Sequence, residues 1–239
     1  MDKYQYVSLD IRSRISSGEY VQGDRLPAIP ELCKLYGVSK ITIKRAMDDL
    51  ERMGIVSRRR GSGTFVKALV SETSLHRVFD TPGEVGGFIE EAESYGAMVT
   101  SDIHDFSIVH AADDVAEALA IEPGDFVYHV YRTRRVNGRP HAIERSYLPL
   151  ALIPGLKEEH IESSLYRYIE GTLGLNITSS HRTIYAVNPS DQEATWLAIP
   201  QNSPLLAMWQ VSFLDDGQPF EQSTILHTVG HTFHTVSRR

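Results

Sequence analysis

At 239 residues the chain has room for two ordinary domains, and its net charge of −7, taken as an average, speaks against a nucleic-acid partner. A single cysteine, Cys33, rules out an intramolecular disulfide and fits a reducing compartment. With no signal-like N-terminal segment and no apolar run long enough to span a bilayer, the sequence predicts a cytoplasmic protein without a membrane partner.

Residues 4–17 carry Val7, Ile11 and Ile15 at helical spacing and predict a first helix that ends before Gly18. A second is predicted over Ile29–Tyr36. Pro27 and Pro30 sit where a first helical turn tolerates proline, because the N–H groups there lack helical partners, and Leu32, Cys33 and Leu35 form the inner side. Gly37 supplies the positive φ of a sharp turn, and Ser39 caps a third helix. In that helix Ile43, Ala46, Met47, Leu50 and Met53 make one apolar face. Lys40, Ile41, Lys44, Arg45 and Asp48 point away from it, with the cations gathered in the N-terminal half. Gly54 ends the helix. Ile55–Arg58 and Thr64–Lys67 alternate as short strands around the basic, glycine-rich tip Arg59-Arg60-Gly61-Ser62-Gly63.

A helix held rigid by a buried stripe, with a polar leading end, suits base edges and phosphates in a major groove. The glycines of the wing allow close backbone approach to a duplex, and its arginines neutralise phosphates. A helix pair with a merely solvated charged face would not call for the turn glycine, the capping serine and the basic tip together. The expected DNA-binding residues are therefore Ser39, Lys40, Thr42, Lys44, Arg45, Arg58, Arg60, Gly61, Ser62 and Gly63.

The stretch from Tyr4 resembles the winged helix-turn-helix of the GntR family of bacterial transcription regulators. The residues that carry the resemblance are Ser17-Gly18-Glu19-Tyr20, Gly23-Asp24-Arg25-Leu26-Pro27, Gly37-Val38-Ser39 and Arg60-Gly61-Ser62-Gly63-Thr64-Phe65-Val66. The resemblance implies that Lys40 and Lys44 hold positions usually occupied by DNA-contacting arginines, and that the wing glycines enter the minor groove. One departure stands out: Ala28-Ile29-Pro30 replaces the Ser-Glu-Arg that commonly follows Leu-Pro, so an arginine that often contacts DNA is missing.

Ala68 to about Thr81 lacks periodicity and reads as a linker, giving domains over 1–69 and 82–239 with a linker at 70–81. The charge divides along the same line. Residues 1–69 hold thirteen Lys and Arg against eight Asp and Glu, a net of +5, and the remainder carries −12. A basic head on an acidic body leaves only the head to touch DNA.

Beyond Pro82-Gly83-Glu84-Val85-Gly86-Gly87, a short helix is predicted from Phe88 to Tyr95. Ser101–Val109 reads as a strand and Asp113–Ala120 as a helix capped by Asp113. Phe126–Val136 alternates, with Val127, His129, Tyr131 and Thr133 on one face and Tyr128, Val130, Arg132 and Arg134 on the other. Asn137-Gly138 signals a hairpin to a returning strand, His141–Leu148. Ser164–Leu173 is predicted helical, Arg182–Ala186 extended, and Asp191–Leu197 helical with Ser190 as cap. Leu205–Leu214 and Phe220–Leu226 flank a second hairpin at Asp215-Asp216-Gly217-Gln218. The fold class is α+β with a largely antiparallel sheet in this domain.

This half resembles the ligand-sensing UTRA domain of the HutC branch of GntR regulators, whose fold is that of chorismate lyase. The matching residues are Tyr131-Arg132-Thr133-Arg134, Ile143-Glu144-Arg145-Ser146-Tyr147-Leu148-Pro149, Ser164-Leu165-Tyr166, Ala198-Ile199-Pro200, Ser203-Pro204-Leu205-Leu206 and Asp215-Asp216-Gly217-Gln218-Pro219.

Arg132 and Arg134 are two apart, so both project from one strand face, and Glu144 across the hairpin is placed to meet one of them. Two guanidiniums and one carboxylate make a site for a small anion that carries hydroxyl or amine groups. The competing expectation is a solvent-facing ladder of ion pairs. The resemblance places Arg132, Arg134, Glu144, Ser164, Tyr166 and Glu221 around the effector. Gly86-Gly87-Phe88 opens a helix whose N–H groups suit a phosphate or carboxylate, which adds Gly87 and Phe88. In sugar-phosphate sensors of the family, hydroxyl residues often flank that phenylalanine, whereas here Gly87 and Ile89 do.

Ten histidines raise the question of a metal. His227, His231 and His234 have helical ligand spacing, but Thr228, Val229, Thr232 and Thr235 predict extended or irregular chain there, and His104 and His110 only lie near acidic residues. No metal and no cofactor are expected. The resemblance puts an aspartate where His231 stands. Catalysis is the rival class, since a chorismate-lyase-like fold can host an enzyme acting on a small anion. No Ser-His-Asp arrangement, phosphate loop or zinc-helix motif supports it, and it leaves the winged helix unexplained. The sequence thus predicts a homodimeric, ligand-responsive transcription repressor released from a palindromic operator by a small anionic or polar metabolite, and not an enzyme.

Overall fold

The computed structural model describes residues 2–59, 61–67, 97–228 and 231. They fall into two compact units, which are taken separately. The predicted linker, the predicted helix at Phe88–Tyr95, Arg60, Gly87, Phe88 and His234 lie outside the described residues.

In the first unit, three helices, α1 (Lys3–Ser16), α2 (Ile29–Tyr36) and α3 (Lys40–Arg52), precede a hairpin of β1 (Val56–Arg59) and β2 (Gly63–Val66). Val7, Ile11 and Ile15 of α1 pack with Leu32 of α2 and with Ile43, Ala46, Met47 and Leu50 of α3 in one core. Gly37 adopts φ +64° and turns the chain between α2 and α3. Ser39 then caps α3, its hydroxyl accepting from the Thr42 N–H at 3.2 Å. Leu35, expected inside, is 54 % exposed. Ile29, Leu32, Cys33 and Tyr36 take the inner side of α2 instead. One buried polar pair ties the helices together: Ser8 of α1 donates to Asp49 of α3 at 2.8 Å.

The second unit is a six-stranded antiparallel sheet in the order β3-β4-β5-β8-β7-β6. Its strands are β3 (Val99–His110), β4 (Phe126–Val136), β5 (Arg139–Pro149), β6 (Ile177–Val187), β7 (Leu205–Leu214) and β8 (Pro219–His227). Asn137 and Gly138, both with positive φ, turn β4 into β5. Helices α4 (Asp113–Leu119), α5 (Glu158–Glu162), α6 (Leu165–Arg167) and α7 (Asp191–Leu197) connect or cover the strands.

The predicted alternation of β4 separates two cores. Tyr128 and Val130 join Leu148, Ile153, Leu156, Ile161, Leu165, Ile169 and Phe220 on one face, while Val127 packs with α4 on the other. Two local expectations are corrected. Ala112, not Asp113, stands at the N-cap of α4, with no side-chain cap, so the Asp113 and Asp114 carboxylates sit inside the first turn, where the positive end of the helix dipole favours them. The helix expected over Ser164–Leu173 begins as the single turn α6, capped by the Ser164 hydroxyl, and continues as a π-helical turn, Tyr168–Thr172.

Candidate nucleic-acid interface and ligand site

On α3 the buried stripe fixes what the opposite side presents. Ser39, Lys40, Ile41, Lys44 and Arg45 are exposed and Thr42 is half-buried. Lys40 and Lys44 are one helical turn apart and share a face. The Arg45 guanidinium lies over the Tyr4 ring at 4.2 Å, so α1 steadies it. Ile41 is 78 % exposed at the leading end of the helix. An apolar side chain there suits a thymine methyl group in the major groove.

At the wing, the Ser62 N–H donates to the Arg59 carbonyl at 2.9 Å. Gly61 and Gly63 have φ of +79° and +121°. A side chain at 63 would also collide with Arg25, whose Nε lies 2.6 Å from the position of a Cβ. Arg25 is exposed and bridges to Phe65 across the wing. Sequence order gave no sign that Arg25 meets the wing, since it precedes α2.

Arg58 has partners on α3. Its guanidinium pairs with Asp48 and with Glu51 of α3, the latter at 3.3 Å, and its N–H donates to Glu51 at 3.2 Å. These contacts brace β1 against α3 and leave the Arg58 side chain partly exposed.

In the second unit, Arg132 faces Glu144 as its Cα partner across the β4–β5 hairpin. Arg132 donates from Nε and Nη2 to the two Glu144 oxygens at 3.0 and 2.9 Å, and from Nη1 to the Ile161 carbonyl at 2.7 Å. Arg134 donates from Nε to the same carboxylate at 3.1 Å and from Nη1 to Ser101 at 3.0 Å. Glu144 therefore meets both arginines, where the sequence suggested one.

Exposure decides against a solvated ladder: Arg132 is 1 % and Arg134 6 % exposed. Burial by itself would raise the Glu144 carboxyl, but the two guanidiniums reverse this and hold it at about 2. Burial, and then Arg132, lower Arg134 to about 10, so it stays a cation at neutral pH.

Glu221 and Ser212 are Cα partners on β8 and β7. The Tyr166 hydroxyl lies over both, donating to Glu221 at 2.8 Å and standing 3.3 Å from Ser212. Burial, and then repulsion from Glu144, push the Glu221 carboxyl up to about 7. Tyr166 is raised well above the usual phenol range by burial and by Glu221. Ser146 donates to Glu144 at 3.2 Å. Ser164, 4 % exposed, is placed nearby in sequence to Tyr166 as the cap of α6.

Sequence reasoning missed the wider polar floor: Ser101, Ser146, Gln210, Ser212, Ser223 and His227. All but Ser101 are buried. The signal was a run of polar residues at period two, Gln210 and Ser212 on β7 and Glu221 and Ser223 on β8, inside strands that otherwise read as core. With Glu221 protonated, two guanidiniums against one ionised carboxylate leave one buried positive charge.

A separate cavity of about 310 Å³ lies on the other face of the sheet, lined by residues that include His110, Asp114, Arg145, Tyr147, Trp209 and Gln222. Of the other histidines considered, His104 stacks on Trp196 with ring centres 3.5 Å apart and bonds Thr133, and His110 bonds the Gly124 carbonyl at 2.6 Å.

Comparison with known proteins fits both units. Residues 3–66 match the model of bacterial regulatory proteins of the gntR family, and residues 94–230, more than half of the chain, match the UTRA domain. The chain is 31 % identical to the HTH-type transcriptional regulator GmuR of Bacillus subtilis, over 95 % of this chain and 94 % of that one. It is also 31 % identical to the mannosyl-D-glycerate transport/metabolism system repressor MngR of Escherichia coli, over 99 % and 96 %. The crystal structure of YydK from Bacillus subtilis superposes with a TM-score of 0.78 at 28 % identity, covering 100 % of both chains.

Proposed function

Since the chain belongs to the GntR family of bacterial regulatory proteins and carries a UTRA domain, we propose that it represses transcription from a palindromic operator as a homodimer and releases it when an anionic, hydroxylated metabolite binds beside Arg132 and Arg134. The protein is a ligand-responsive DNA-binding regulator and not an enzyme.

The observation that carries the choice of ligand is the buried Arg132–Glu144–Arg134 cluster. Its two guanidiniums, lined by the hydroxyls of Ser146, Ser212 and Tyr166, suit one carboxylate or phosphate with hydroxyls around it. MngR is named for mannosyl-D-glycerate, a compound of that description. Gly87, Phe88, Ser164 and Glu221 complete the proposed effector site.

On the DNA side, Lys40, Lys44 and Arg45 take the major groove with Ser39 and Thr42 at the leading end. Arg60, Gly61, Ser62 and Gly63 carry the wing. One helix per chain reads only a few base pairs, which supports pairing two heads on half-sites about one helical turn apart. The domains then run 1–69 and 82–239 about a linker at 70–81. No described helix is long and apolar enough to cross a membrane, which supports a cytoplasmic regulator.

The test is a thermal-shift screen of the purified chain against sugar phosphates, amino acids and small carboxylates, followed by gel shifts of its own upstream DNA with each hit. Stabilisation by one anion with release of the DNA, both lost in Arg134→Ala while DNA binding persists, supports the reading. A stabilising anion that leaves Arg134→Ala fully responsive places the effector elsewhere.

A further inference from the structure

Three histidines from two stretches of chain converge at one end of the second sheet. His227 is the last residue of β8 and is 1 % exposed. His141 sits in β5 where the register with β4 passes from Arg134↔Ala142 to Arg135↔Pro140, so it is the residue left without a β4 partner at a bulge. His231 follows β8. Both His141 and His231 are half-buried.

Backbone bonds through Thr228 fix the arrangement. Its N–H and hydroxyl donate to the His141 carbonyl at 3.3 and 3.2 Å, and its own carbonyl accepts from the His231 N–H at 3.2 Å. The rings of His227 and His231 stack with centres 3.8 Å apart, and that of His141 stands edge-on to both at 6.3 and 5.9 Å. One ring nitrogen from each histidine lies within 4.8 Å of the other two.

We propose that His141, His227 and His231 form a binding site for one divalent transition-metal ion of the zinc class. Nitrogens around a tetrahedral zinc, with bonds of about 2.0–2.1 Å, stand about 3.3 Å apart. To reach that spacing the His227 and His231 rings must turn out of their stack, since the lone pair of each lies in its own ring plane, and the broad imidazole torsion permits that turn. A donor set of three imidazoles with no carboxylate selects zinc, copper or nickel over calcium and magnesium, which take oxygen ligands.

Burial favours the ligating form of each ring. His141 is lowered by desolvation, His227 well below its ordinary value by desolvation and then by His231 and His141, and His231 to about 4 by desolvation and then His141. Desolvation thus favours the neutral, ligating form of each ring over the protonated one. Three protein ligands would leave the fourth position of a tetrahedral ion to water or another oxygen donor. Helical spacing within the C-terminal segment does not describe this cluster, because the third partner comes from β5.

The site also has a defined relation to the arginines. Arg134 and His227 are both Cα partners of Ala142, so they stand in one row on the same sheet face, two strands apart, or about 10 Å. An ion here adds positive charge to the side of the sheet that already carries the guanidinium pair.

The test is zinc binding to the untagged, full-length protein by equilibrium dialysis and calorimetry, alongside His231→Ala, His141→Asn and, as a control on a distant histidine, His110→Ala. The expected result is one zinc per chain in the wild type and the control, with affinity reduced about 100-fold or more in both site variants while their circular dichroism is unchanged. Cobalt added to the wild type should give the visible absorption of a tetrahedral site, and this should be absent from His231→Ala. Equal zinc uptake by the wild type and both site variants, or no uptake by the wild type, overturns the proposal. Operator and effector binding are measured separately by the gel shifts, so loss of zinc binding and loss of the effector response can be told apart.

Discussion

Arg132 and Glu144 lie directly opposite each other on neighbouring strands and close a two-point ion pair at 2.9 and 3.0 Å, with the arginine 1 % exposed. Removing one member of such a buried pair leaves the other uncompensated in a medium that solvates it poorly. Glu144→Gln removes the carboxylate that both Arg132 and Arg134 bond. It is expected to destabilise the second domain by about 3–5 kcal/mol, read as a lower urea midpoint with the first domain unaffected.

Glu221 gives a pH signature of opposite sign to that of Glu144. Its folded value of about 7 lies above the ordinary 4.5, so the folded state holds its proton more tightly. The associated stability is fully present below about pH 4.5 and is lost as pH rises through 7. Glu144, held at about 2, contributes stability above pH 4.5 that is lost as pH falls towards 2. In Glu221→Gln the melting temperature should fall less than that of the wild type between pH 5 and 8. Identical pH profiles would mean that Glu221 is ionised throughout that range. The lowered His227 and His231 titrate in the opposite sense, so the difference between the two proteins, not either curve alone, is the measurement.

Lys44→Ala tests the leading half of α3. Losing one exposed phosphate contact should weaken operator binding and reduce the slope of log K against log salt by about one, with ligand affinity unchanged. An unaltered slope in gel shifts across a salt series would take Lys44 off the DNA backbone.

Gly63→Ala tests the wing. The residue's φ of +121° disfavours any side chain, and the new methyl would meet Arg25. A cost of about 1–3 kcal/mol to the wing conformation is expected, with reduced operator affinity by fluorescence anisotropy. Adding Arg25→Ala should relieve the collision but not the backbone strain, so it should restore only part of any lost stability.

Asp48→Asn together with Glu51→Gln tests the brace on β1. Arg58 would lose both carboxylates that hold it to α3. The wing should loosen, read as faster amide hydrogen exchange in β1 and β2, while the protein stays folded.

Much of this molecule could be read in order along the chain. Periodicity placed α2 over Ile29–Tyr36, β4 over Phe126–Val136 and α7 over Asp191–Leu197, and Asn137-Gly138 marked its hairpin. These succeed because each is a local matter: apolar spacing, a capping hydroxyl and the φ that glycine permits act within a few residues. The two-residue spacing of Arg132 and Arg134 fixed their common face for the same reason.

The tertiary structure decided which polar groups are buried and what they meet. Glu144 bonds both arginines, Arg58 belongs to α3, Arg25 reaches the wing at Gly63, and His141 joins His227 and His231. Each is a contact between residues on different parts of the fold. Its chemistry depends on desolvation and charge spacing, which exist only once the sheet has brought the strands into register.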